Sequence, residues 1–336
     1  MSIKFHIGHP KAYSTYIQSQ LVQNEKAGSL IYSGFRPDND IKNWYQNKVE
    51  AECFNKALRF SHSLSFNQKK SDYINFIQNK VESAQEKGLP LWISSENISL
   101  PWLMSDIESK EKLRRIEQLL PQKKQYIVIF RNIFSSLMSF YSEYVKQGYA
   151  HNFKYFLDEV YYFRESNFVM HLFPGVMTEY FLDVKQEQGL SSDFELTIVP
   201  EFDLNNMQKW ADEQGLTFFE SKVINKGKSL SDAESIANKG GSPTSLSGLI
   251  ESHRYFWSEK QNVPEVLVWQ KLRNIKQNEA LAIGNSTNID EYKKIYMSST
   301  LFIFISAAQK QDEQTYINYQ GAEAKFKHSL LWNMEN

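Results

Sequence analysis

The run that first catches a chemist's attention is Phe5-His6-Ile7-Gly8-His9-Pro10-Lys11-Ala12-Tyr13-Ser14-Thr15-Tyr16-Ile17-Gln18. A short apolar segment, Ile3 to Gly8, reads as a strand, and Ser14 to Gln23 reads as the helix that follows it. A loop between a strand's carboxyl end and a helix's first turn presents backbone N–H groups with no intrahelical partner, so it attracts anions before any side chain is considered. Lys11 adds a positive charge there, and Ser14 and Thr15 add hydroxyls at the helix start. The order is not that of the nucleotide-triphosphate loop GxxxxGK[ST], because Lys11 is followed by Ala12, which disfavours an ATPase or GTPase. His9, next to Lys11, is the histidine best placed to move a proton; His6, across Gly8, reads as hydrogen-bonded structure.

Two more segments bring chemistry to the same region. Gln125 to Phe130 is the most strand-like run in the chain and leads into Arg131-Asn132-Ile133-Phe134-Ser135-Ser136-Leu137-Met138-Ser139-Phe140-Tyr141. Arg131 leaves the strand end while Ser139 lies about two turns along the next helix, so a guanidinium fork and a hydroxyl can close on one phosphate. The strand Leu91 to Ser94 ends in Ser94-Ser95-Glu96-Asn97. That places Glu96 at the carboxyl edge of the sheet, where parallel α/β sheets bind ligands and where a carboxylate can take the proton of an attacking hydroxyl.

These segments resemble the sulfotransferases that use 3′-phosphoadenosine-5′-phosphosulfate (PAPS). The family's first motif is approximately Pro-Lys-x-Gly-[ST]-[ST]-[aromatic]-[LI]-[QS], and Pro10, Lys11, Ser14, Thr15, Tyr16, Ile17 and Gln18 fit it, with Tyr13 in place of the glycine. The second, Arg-[DN]-Pro with a Ser eight residues after the Arg and a Tyr two further on, is matched by Arg131, Ser139 and Tyr141, with Ile133 for the Pro. Ser94-Ser95-Glu96 resembles the Ser-x-Glu of bacterial and carbohydrate sulfotransferases, and Leu196 to Phe202 resembles a later family strand ending in an acidic residue, here Glu201.

The resemblance covers roughly residues 1 to 230. It implies a three-layer sandwich with a central, mainly parallel sheet of the P-loop sulfotransferase type and a helical C-terminal extension. PAPS would be held by Lys11, Ala12, Tyr13, Ser14, Thr15, Tyr16, Arg131 and Ser139. Lys226 and Lys228 are the nearest counterparts of the family's basic closing loop, ahead of Arg254 and Lys325. Lys11 would be catalytic, with Glu96 as base and His9 as the second candidate. The implied activity is sulfuryl transfer to an acceptor hydroxyl, on a carbohydrate or another small molecule, with adenosine 3′,5′-bisphosphate as product and no metal. The alternatives are a nucleotide-binding module of this fold without transfer activity and a P-loop small-molecule kinase.

Those residues need a scaffold, and the pattern along the chain supplies one. Strand-type runs alternate with helix-type segments, the mark of an α/β fold. Further helices are expected at Ala51 to Ser63, Asp72 to Glu86, Ser105 to Leu119, Ile133 to Lys146, Phe153 to Val160, Val169 to Gln186 and Asn206 to Glu213, and further strands at Ser29 to Tyr32 and Glu195 to Val199. Residues 226–248, rich in Ser, Gly, Asn and Lys, read as a loop or junction, which divides the chain into a core over 1–225 and a mostly helical region over 226–336. Within the latter, Ser298 to Ser306 fits either a buried strand or part of a helix.

Composition narrows the class. In 336 residues, 38 Lys plus Arg stand against 39 Asp plus Glu, a net charge of −1, which argues against a nucleic-acid-binding surface. The lone Cys53 permits no intrachain disulfide and suits a reducing compartment. The longest apolar stretch, around Thr300 to Ala308, is less than half of the roughly 20 residues a membrane helix needs. A cytoplasmic protein is expected, and homo-oligomerisation is left open.

Overall fold

The computed structural model describes residues 1–8, 13–37, 44–59, 61–96, 98, 107–146, 151–164, 169, 171–187, 194–199, 207–219 and 289–308. In chain order the elements are β1 (Ile3–His6), α1 (Ser14–Lys26), β2 (Ile31–Gly34) and α2 (Lys48–Glu52), which runs into a π-helical turn (Cys53–Ala57). They continue with α3 (Ser63–Lys87), β3 (Leu91–Ser94), α4 (Ser109–Leu119), β4 (Lys124–Ile129), α5 (Ile133–Lys146) and α6 (Phe153–Tyr162). Then come α7 (Pro174–Glu187), β5 (Phe194–Val199), α8 (Met207–Glu213) and α9 (Ile289–Met297). Residues 300–308 are helical, which settles the open choice for the segment around Ser298 to Ser306. The expected loop at 226–248, and most of the helical region expected beyond it, lie outside the described residues.

The chain divides into two units, residues 1–132, 165–224 and 309–336 in one, 133–164 and 225–308 in the other. The first holds a five-stranded, all-parallel sheet in the order β2-β3-β1-β4-β5. Phe5 of β1 faces Ile93 of β3 on one side and Tyr126 of β4 on the other. Because successive strand residues point to opposite faces, each strand feeds two apolar layers. Phe5, Ile31, Leu91, Ile93, Tyr126 and Val128 pack with Ile77 and Val81 of α3, Leu113 and Ile116 of α4, and Phe181 of α7. Tyr32, Trp92, Ile127 and Ile129 pack on the other side with Ile17 and Leu21 of α1 and Trp210 of α8. Helices therefore cover both faces, as an all-parallel sheet requires. This is an α/β fold.

Local chemistry sets the helix ends. α3 is one 25-residue helix that begins well before the expected Asp72, because the His62 ring accepts the Leu64 N–H at its start. It ends where Gly88 turns left-handed. At its amino end β4 carries an ion pair that no solvent reaches: Lys124 Nζ lies 2.7 Å from Glu117 Oε2 and donates to the carbonyl of Leu120 at 2.6 Å. The Tyr126 hydroxyl donates to the other Glu117 oxygen at 2.5 Å.

The second unit is held by rings. Tyr141 of α5 lies 5.2 Å from Phe153 and 5.4 Å from Phe156 of α6, and 6.4 Å from Tyr292 of α9. Phe134 meets Tyr296 at 5.5 Å, and Tyr161 meets Phe304 at 6.3 Å. Tyr144 and Tyr161 are therefore packing residues, while Tyr155 and Tyr162 are exposed. Among the described residues no helix is long and apolar enough to cross a membrane.

Glu117 satisfies a buried ammonium and a buried phenol together, so removing it leaves an uncompensated charge. Glu117→Leu is expected to lower the unfolding free energy by about 3–5 kcal/mol. Adding Lys124→Met should recover much of that loss in the same denaturant melts.

Candidate functional site

β1 is the middle strand, and the backbone beyond it stays tied to both neighbours. The Ile7 N–H donates to the carbonyl of Ile127 at 3.1 Å, and the Ser95 N–H donates to the carbonyl of His6 at 3.0 Å. The chain then turns at Gly8, whose φ is +62°. A Cβ added there would lie 3.0 Å from the Glu96 Cβ and 3.1 Å from its Cα, so the absence of a side chain at Gly8 is what lets the end of β3 close against the loop. In this sheet order the connection from β1 to β2 leads to one side and that from β3 to β4 to the other, so the carboxyl end of β1 is the topological switch point.

The chain re-enters at Tyr13, with φ 60° and ψ 16°, and α1 starts at Ser14. Among the described residues Tyr13 is the one non-glycine with a positive φ. His9, Pro10, Lys11 and Ala12, between Gly8 and Tyr13, lie outside the described residues, as do Glu201, Lys226, Lys228, Arg254 and Lys325. Of the remaining predicted residues, Ser14 and Glu96 are brought into contact: the Ser14 hydroxyl donates to Glu96 Oε2. Thr15 is half-buried one residue on, and Tyr16 is buried in the apolar layer between α1 and the sheet.

Arg131 follows β4 at the same sheet edge. Its guanidinium carbon stands 5.7 Å from the centre of the Tyr13 ring, which links the end of β4 to the start of α1. Burial pulls the Arg131 pKa below its ordinary value, partly offset by Tyr13, while an arginine stays charged throughout the working pH range. Ser139 is half-buried on α5, in the second unit. The Tyr141 hydroxyl, two residues further on, donates to the carbonyl of His151 at 3.1 Å.

Beneath the loop lies a polar group that residue types alone do not single out. His6 is fully buried, with Nδ1 2.9 Å from the Ser94 hydroxyl, to which the Gln18 amide also comes within 3.3 Å. Its other ring nitrogen has no hydrogen-bond partner among the described residues, and neither does the buried Ser95 hydroxyl. Burial lowers the His6 pKa to about 3, so the ring is neutral at neutral pH.

At the end of the neighbouring β2, the buried Glu50 carboxylate accepts from the Ser33 hydroxyl at 2.7 Å and the Gly34 N–H at 2.9 Å. Tyr45 donates to Asn55 Oδ1 at 3.0 Å, and burial, with the negative charges of Glu96 and Glu50, raises its pKa. The sequence signal for these contacts is weak, because Glu50 and Tyr45 reach the sheet edge from a connection that carries no motif. No group of three or more His, Cys, Asp or Glu that could hold a metal ion occurs among the described residues.

The arrangement gathers one carboxylate, one guanidinium, one helix start and a left-handed turn at the switch point of a parallel sheet. Such a site can hold an oxyanion at the helix start while a base stands beside it. Comparison of the chain with protein-family models, curated proteins and solved structures finds no match.

His6 gives the site floor a pH dependence. Its folded pKa, about 3, lies below the ordinary value of 6.5, so between these limits the unfolded chain binds a proton that the fold excludes. Stability from this group is complete above about pH 6.5 and falls on acidification, at up to about 1.4 kcal/mol per pH unit. Between pH 7 and 4, wild type should lose unfolding free energy more steeply than His6→Asn. Parallel curves would place the acid sensitivity elsewhere.

Proposed function

We propose that the chain is a PAPS-dependent sulfotransferase with a three-layer, P-loop-type core. The observation that supports it most strongly is the backbone at Tyr13. The sequence motif has glycine at this position, and here the glycine-type φ is kept although the residue is bulky. The backbone at Tyr13 follows the motif where its residue does not. The parallel sheet and the position of the loop after the central β1 agree with this reading.

Bound PAPS supplies a sulfuryl group carried on a phosphate leaving group. On the protein side, Lys11 neutralises the charge that develops toward that phosphate, and the N–H groups of Ser14 and Thr15 hold the anion at the start of α1. Ala12, Tyr13 and Tyr16 complete the motif around it. Arg131 receives the 3′-phosphate, and Ser139, Lys226 and Lys228 are the further nucleotide-binding residues that the motif resemblance implies. Glu96 accepts the proton of the acceptor hydroxyl, with His9 as the alternative base. The contact from Ser14 to Glu96 favours Glu96, because it brings the carboxylate to the loop that holds the anion. Positioning and charge stabilisation provide most of the rate, as in phosphoryl transfer. The acceptor is a hydroxyl compound, a carbohydrate above all, and the protein acts in the cytoplasm.

A thermal-shift comparison of adenosine 3′,5′-bisphosphate, ATP and GTP tests the nucleotide class. The bisphosphate should raise Tm most, because a ligand at about 100 times its Kd adds about 2.7 kcal/mol to stability. A larger shift with ATP would favour the kinase reading instead. Tight bisphosphate binding without turnover would leave a binding module.

Roles divide by mutation. Lys11→Ala should abolish transfer with Tm unchanged. Glu96→Gln should lower kcat by about 10²–10⁴-fold, with nucleotide affinity retained. A Glu96→Gln enzyme with wild-type kcat would remove Glu96 as the base.

A further inference from the structure

An aromatic residue in the left-handed region costs about 1–2 kcal/mol relative to a relaxed backbone. Tyr13 stands at the position that caps α1, yet its side chain makes no capping hydrogen bond. Capping therefore does not repay the strain. What the ring does instead is visible on its two sides. It packs against the apolar layer formed by Tyr16, Ile17 and Leu21 of α1 with Trp92 and Ile127 of the sheet. It also lies beside the Arg131 guanidinium, 5.7 Å from ring centre to guanidinium carbon, within the range over which an aromatic face attracts a cation. Arg131 is itself half-buried, which strengthens such a contact over one in full solvent.

An arginine side chain has several rotatable bonds, so a guanidinium at the end of a strand must be held if it is to meet a phosphate in one orientation. From these contacts we infer that Tyr13 is a positioning residue: its ring, anchored on the core and aimed by the left-handed backbone, fixes the Arg131 guanidinium to receive the 3′-phosphate of the nucleotide. The inference rests on the nucleotide reading above and adds to it a function for the side chain at the position where the motif has glycine. A glycine would give the same turn without a platform, so Tyr13 couples the cradle after β1 to the one after β4.

The test is calorimetric titration of the full chain with adenosine 3′,5′-bisphosphate and with adenosine 5′-monophosphate, which lacks the 3′-phosphate. Wild type should prefer the bisphosphate. Tyr13→Leu keeps a bulky side chain in the same backbone but has no aromatic face, and it should weaken bisphosphate binding roughly tenfold more than it weakens monophosphate binding. Tyr13→Phe should restore the preference. Where Tyr13→Leu does not fold, Tyr13→Gly takes its place, since glycine is at ease at this φ. A Leu or Gly variant with the wild-type preference for the bisphosphate overturns the inference and leaves the nucleotide reading intact. A wild type that shows no preference for the bisphosphate overturns both.

Discussion

A four-residue strand hydrogen-bonded along both edges has little freedom, and β1 is such a strand. The ladder continues past its end, where Ile7 is tied to Ile127 and Ser95 to His6. The exits of β1, β3 and β4 are thereby held side by side, and Gly8, Glu96 and Arg131 inherit their places from that register. A slip of one residue in β1 would send Phe5 to the opposite face and Gly8 away from Glu96. The apolar layers resist such a slip, because Phe5 and Ile7 belong to one and Ile127 and Ile129 to the other. Hydrophobic burial thus does chemical positioning here without contributing a polar group.

The elements with strong local signals were legible in the sequence. Leu91 to Ser94 and Ile133 to Lys146 have the expected limits, since the apolar run of the first and the periodic face of the second are bounded by plain polar or strand-ending residues. Elsewhere the ends moved for local reasons. The helix expected from Ala51 to Ser63 is a short α-helix that passes into a π-helical turn. In the helix expected from Val169, Val169 is itself helical, a turn follows at 171–172, and the long helix runs from Pro174, whose fixed φ and missing N–H suit a first turn. The association of α5 and α6 with residues 289–308 includes ring contacts such as Tyr141 with Tyr292, between residues far apart in the chain. No composition shift or linker announces contacts of that kind.

At the site, residue types pointed to Ser14, Glu96 and Arg131, but not to how they pair. Ser14 was legible as a donor for an anion, and in the fold its hydroxyl serves the Glu96 carboxylate. The departure of Tyr13 from the motif was legible too, while its φ was not, because a side chain's identity says little about a backbone state that its neighbours impose. The buried contact of His6 with Ser94 was hidden for the same reason: it depends on the parallel register that sets those two residues opposite each other.

A carboxylate beside a helix start proposed to hold an anion raises a question of charge. Glu96 and a bound phosphosulfate would repel each other at close range, since like charges near a desolvated surface interact strongly. The Ser14 hydroxyl moderates this in part, because it donates to the Glu96 carboxylate. Under the reading proposed above, Arg131, beside the Tyr13 ring at the neighbouring strand end, would bring the positive charge that offsets this repulsion.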